Sequence, residues 1–86
     1  VNYNVILERQ AEKELRALPT QMLRRVDKRL IALADEPWPR GSAKLKGKET
    51  EGWRIKAGEY RILYTVDKTH KVVKVYRIKH RSEAYR

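Results

Sequence analysis

The chain has no cysteine and only two histidines, so neither disulfides nor cysteine–zinc sites support it. His70 and His80 are separated in sequence with no cluster of carboxylates between them, which leaves no metal-ligand spacing to read. Long apolar runs are missing too. Nothing here is long enough to span a bilayer, and the first residues carry no signal-peptide pattern. Together these absences point to a cytoplasmic protein that uses no metal or cofactor. Negative charge is the scarce sign: 11 Asp+Glu stand against 21 Lys+Arg, a net charge of +10 over 86 residues. That excess is more than solubility requires, and it directs attention to a polyanion: nucleic acid first, then an acidic protein or an anionic membrane.

A chain of this length makes one small domain, residues 1–86, with limited surface to bury. Residues 2–7 (NYNVIL) alternate as a strand, with Tyr3, Val5 and Leu7 on one face. From Glu8 to Leu18 the period becomes helical, with Ala11, Leu15 and Leu18 apolar. Leu18-Pro19-Thr20 interrupts, and Thr20 is the expected N-cap of a second helix striped by Leu23, Val26, Leu30 and Leu33. Pro37 and Pro39 end it. Trp38 between them either caps the helical hairpin or stacks on a base; Trp53 reads as core. Residues 40–51 (RGSAKLKGKETE) read as a basic surface loop.

The segment GWRIKAGEYRILYTV, residues 52–66, is written as a tight hairpin turning at Gly58-Glu59. Trp53, Ile55, Ala57, Tyr60, Ile62, Tyr64 and Val66 form its core face. The other face sets Lys56 opposite Arg61, a like-charge pair that destabilises a sheet unless something anionic compensates it. The last strand, 71–79, alternates imperfectly: Val73 and Val75 suit one face, Tyr76 and Ile78 the other, and a bulge is expected. The order β-α-α-β-β-β predicts an α+β domain with an N-terminal strand and helical hairpin packed on an antiparallel sheet. The basic face would combine Arg54, Lys56 and Arg61 with Lys44, Lys46 and Lys48 from the loop and Lys79, His80, Arg81 and Tyr85 from the chain end. Arg81 and Tyr85 are one helical turn apart. A tyrosine beside an arginine is suited to accept a proton, and an arginine to hold the charge of a phosphorane.

The G-x-Y-R-I-L-Y hairpin (Gly58, Tyr60, Arg61, Ile62, Leu63, Tyr64) and the H-R-S-E-A-Y ending (His80 to Tyr85) resemble the RelE/ParE superfamily of type II toxins, over essentially the whole chain. The resemblance to its RelE-like branch implies a metal-independent endoribonuclease that cuts mRNA in the ribosomal A site through 2′-hydroxyl attack. It implies contact of Arg61 with the scissile phosphate, phosphate binding or proton donation by Arg81, and Tyr85 as base or orienting group, with His80 as the alternative proton carrier. Lys44, Lys46, Lys48, Arg54, Lys56 and Lys79 would bind RNA. Arg54 stands where the best-studied members carry lysine. The implied partners are mRNA and the ribosome with its 16S rRNA, and a cognate antitoxin in a hetero-oligomer, with no membrane. Two other readings stay open: a ParE-like toxin that poisons DNA gyrase, and a non-catalytic module that binds rRNA.

Overall fold

The structure, a computed structural model, describes residues 2–46 and 52–84. Lys48, Tyr85 and part of the basic loop lie outside the described residues. Strands β1 (Asn4–Leu7), β2 (Ala43–Lys44), β3 (Trp53–Ala57), β4 (Tyr60–Asp67) and β5 (Val72–His80) form a single five-stranded sheet in the order β1-β5-β4-β3-β2. Helices α1 (Arg9–Arg16) and α2 (Thr20–Asp35) connect β1 to the rest, and a short α3 (Arg81–Ala84) follows β5.

The β3–β4–β5 meander is antiparallel, as its tight turns require, whereas β1 lies parallel to β5. The sheet is therefore mixed rather than purely antiparallel. The helical crossover of α1 and α2 supplies the length of chain that a parallel connection needs. A second difference falls in the basic loop, where Ala43 and Lys44 pair with Arg54 and Trp53 as a short edge strand. A third concerns α2. Thr20 is its first helical residue and Pro19 occupies the cap position, a place where proline's missing N–H and fixed φ cost little.

Val26, Leu30 and Leu33 of α2 and Ala11 of α1 are buried against Ile55, Ala57, Ile62, Tyr64, Val73, Val75 and Ile78 of the sheet. Ile78 belongs to this core rather than to the face of Tyr76. The register between β4 and β5 shifts at Leu63/Tyr64, so that Val75 pairs with Tyr64 and Ile78 with Ile62. The extra residue is Tyr76, and it restores Ile78 to the inner face. The buried Tyr64 hydroxyl donates to the Pro37 carbonyl at 2.7 Å, which ties the segment after α2 to the middle of the sheet. Burial pushes its phenol up to about 12, against a hydrogen bond with Ser42 that lowers it.

Candidate nucleic-acid site

The hairpin turn fixes everything that follows. Gly58 adopts φ +62°, a left-handed conformation that glycine enters without steric cost. The two-residue turn then sets Ala57 against Tyr60 and Lys56 against Arg61. On the other side of β4, Arg61 pairs with Lys79. Lys56, Arg61 and Lys79 thus form one row across three adjacent strands, neighbouring strands being about 4.8 Å apart. The next row on the same face is Arg54, Leu63 and Arg77.

The centre of this face is closed to solvent. Arg61 is only 5% exposed. It lies on the middle strand, with Lys56 and Lys79 at either side, and α3 turns back against β4 and β5 just beyond. Its Nη1 donates to the Tyr60 carbonyl at 3.5 Å. Lys56 is exposed, whereas Arg54 and Lys79 are half-buried.

Arg81 is exposed at the start of α3. Its backbone N–H donates to the Glu59 carbonyl at 2.7 Å, which extends the β4–β5 ladder by one bond and anchors α3 to the hairpin turn. His80 pairs with Tyr60 and so lies on the face opposite Arg61. The two rings meet edge-on, their centroids 5.3 Å apart. One ring nitrogen of His80 lies 3.4 Å from the Glu59 carboxylate, and the other lies 3.0 Å from the Ser82 hydroxyl. The structure therefore brings together Lys56, Arg61, Lys79 and Arg54, and places Arg81 at the end of the β4–β5 ladder. It separates two expected members. His80 faces away, and Lys44, paired with Trp53, stands on the opposite side of the sheet. Lys46 is exposed beyond the β2 edge.

One participant was missed in the sequence. Glu14 of α1 accepts hydrogen bonds from Nε and Nη2 of Arg77, the latter at 2.8 Å, and from the Ile78 backbone N–H at 2.7 Å. Burial pushes this carboxyl up, but the bonds from Arg77, Ile78 and Gln10 outweigh it and hold the group below the ordinary carboxylate range. The partnership removes Arg77 from the list of cations available to a ligand. With Ala11, Leu15 and Leu18 as the apolar stripe, helical periodicity puts Glu14 among the polar residues of α1, and no local signal links it to a strand so distant in sequence.

A model of the ParE toxin family of type II toxin–antitoxin systems matches residues 5–85. No curated protein sequence matches the chain. Among solved structures, the archaeal RelE–RelB complex from Pyrococcus horikoshii is 33% identical with a TM-score of 0.82, over 94% of this chain and 97% of that one. The RelBE2 toxin–antitoxin complex of Mycobacterium tuberculosis is 32% identical with a TM-score of 0.80, over 94% of this chain and 100% of that one. The isolated RelE toxin of Escherichia coli is 29% identical with a TM-score of 0.76, over 96% of this chain and 90% of that one. With the family model spanning nearly its whole length and these folds superposing on it, the chain belongs to the RelE/ParE superfamily of type II toxin–antitoxin toxins.

Proposed function

We propose that the protein is an endoribonuclease that cuts messenger RNA in the ribosomal A site and so stops translation. The observation that carries this reading is the Lys56–Arg61–Lys79 row with Arg81 anchored beyond it. An incoming phosphate meets Lys56 and Lys79 first, and Arg61 adds positive potential from beneath. A charge held away from water acts more strongly than one in solvent. The RNA supplies its own nucleophile. Its 2′-oxygen bonds to the adjacent phosphorus, the bond to the 5′-oxygen breaks, and a 2′,3′-cyclic phosphate and a free 5′-hydroxyl result. The proton leaving the 2′-hydroxyl needs an acceptor, and the 5′-oxygen needs a donor. Because His80 is engaged by Glu59 and Ser82 on the far face, Tyr85 is favoured for proton transfer and Arg81 for phosphate binding.

The same cationic surface would bind an antitoxin whose acidic or amphipathic segment folds on the toxin and masks the row. The Pyrococcus horikoshii and Mycobacterium tuberculosis relatives, both solved as toxin–antitoxin complexes, support such a partner. The ParE description of the matching family favours a second reading, in which the target is DNA gyrase.

Induced expression of the parent and Arg81→Ala proteins, with message 5′ ends mapped over time, tests the proposal. Cuts in translated frames that depend on Arg81 are expected. Growth arrest with intact messages and a loss of supercoiling activity would replace it with the gyrase reading.

A further inference from the structure

A cleft of about 440 Å³ opens at the other end of β3 from the Lys56–Arg61–Lys79 row, lined by Trp38, Lys44, Trp53, Val66 and Lys68. Its volume is ordinary for a small-ligand site, which is commonly ~300–1,000 Å³. Its walls are unusual for a chain with so few tryptophans, since both are here.

Trp38 is held in place from several directions. Its backbone N–H donates to the Glu36 carboxylate at 3.1 Å, and the preceding Pro37 carbonyl takes the Tyr64 hydroxyl. The rings of Tyr3 and Trp53 meet it edge-on, with centroids 6.4 and 6.3 Å away. An aromatic wall fixed in this way offers stacking area with little ordering entropy left to lose. Cations gather beside it. The Lys68 ammonium lies 5.2 Å from the centre of the Trp38 ring, and Lys44 stands opposite Trp53 in the β2–β3 ladder. Among the described residues neither lysine has a carboxylate within ion-pair distance.

Fixed aromatic walls select a flat ring, and ammonium groups with no carboxylate beside them among the described residues select an anion. The combination describes a nucleotide: a base to stack and a phosphate to neutralise. Placement adds a route. Arg54 and Trp53 are consecutive on β3, next to the edge strand β2, and face opposite sides of the sheet. A strand leaving the Arg61 row by way of Arg54 would cross this edge and reach Lys44 on the other side. We propose that the cleft holds one unstacked nucleotide of the RNA strand that is cut at the far end of the sheet. The inference rests on the ribonuclease reading and deepens it with a second contact point, one that grips RNA without choosing a sequence, because every base presents a stacking face.

Intrinsic fluorescence of the full chain reports on this cleft alone, because Trp38 and Trp53 are its only tryptophans. The probe is a short 2′-O-methyl oligoribonucleotide, which cannot be cleaved by 2′-hydroxyl attack, carrying a label for anisotropy. Saturable quenching is expected in step with the anisotropy rise. Lys44→Ala and Lys68→Ala should each weaken binding about five-fold near 0.1 M salt and flatten the logarithmic salt slope by roughly 0.7. Arg81→Ala should abolish cleavage and keep the full tryptophan change at saturation.

Binding without any tryptophan response, in a protein that still cuts message, would overturn the cleft and leave the ribonuclease intact. An absence of both binding and message cleavage would sink the two together. Quenching by a nucleoside 5′-monophosphate but not by the oligomer would assign the cleft to a free nucleotide and overturn its place on the RNA path. Quenching by an acidic peptide alone would assign it to a protein partner.

Discussion

Glu14 on α1 and Arg77 on β5 form a bidentate pair, and the same carboxylate caps the Ile78 backbone N–H. The second bond explains the first. Strand β1 pairs with β5 only from Val72 to Val75, so beyond Val75 that edge of β5 has no neighbouring strand among the described residues. Helix α1 runs alongside it, and Glu14 supplies the acceptor that a strand would have supplied. Removing the carboxylate strands a half-buried guanidinium and an edge amide together. Glu14→Ala should therefore cost ~1.5–3 kcal/mol in urea unfolding, the usual range for a hydrogen bond to a charged group.

A pH dependence follows from the same carboxylate. Its hydrogen bonds hold it below the ordinary range when folded. The stabilisation is thus fully present above the unfolded value of ~4.3 and is lost as pH falls through the folded value. Unfolding midpoints followed downward from pH 5 should drop more steeply in the parent than in Glu14→Gln. Parallel curves would show that Glu14 carries no linkage.

How far the molecule could be read from its sequence depends on whether the deciding contact is local. The hairpin register was legible, since Gly58-Glu59 and the alternation around it fix which residues face each other; the Lys56–Arg61 pair follows from that alone. The core stripe of α2 was legible by period. The parallel docking of β1 on β5 was not, because it is set by where two helices deliver the chain. The bulge was foreseen, yet its consequence for Ile78 depends on where the extra residue falls, and that is set by pairing with β4. Arg61 was recognised by its neighbours, but its burial on the middle strand of the sheet is not visible within WRIKAGEYRILYTV.

That burial shapes what should be mutated. Truncating Arg61 to alanine would remove buried volume as well as charge, and the two effects oppose each other. Arg61→Met keeps the volume and removes the repulsion with Lys56 and Lys79. Like charges directly opposite one another destabilise a sheet, and the exchange relieves two such pairings while the buried volume is kept. The variant should lose message cleavage with a melting temperature at or above that of the parent. A melting temperature several degrees lower would make Arg61 structural and remove it from the proposed chemistry.

Tyr64 supplies a test that is independent of the cationic face. Its hydroxyl holds the Pro37 carbonyl from within the core, and phenylalanine would fill the same space without that donor. Leaving a buried acceptor unpaired costs ~1–3 kcal/mol, so Tyr64→Phe should be destabilised by this amount in urea. The phenol also predicts the alkaline limb. Burial raises it from an ordinary value near 10 to about 12, so the native state favours the protonated form. Its contribution is complete below pH ~10 and is lost as the unfolded chain ionises between there and about 12. The parent should lose stability across that window, and Tyr64→Phe should lose less. Since Pro37 precedes Trp38, the variant should also loosen the indole wall, which a broader and red-shifted tryptophan emission at neutral pH would report. Unchanged emission with the full loss of stability would mean that the contacts from Tyr3, Trp53 and Glu36 hold Trp38 by themselves.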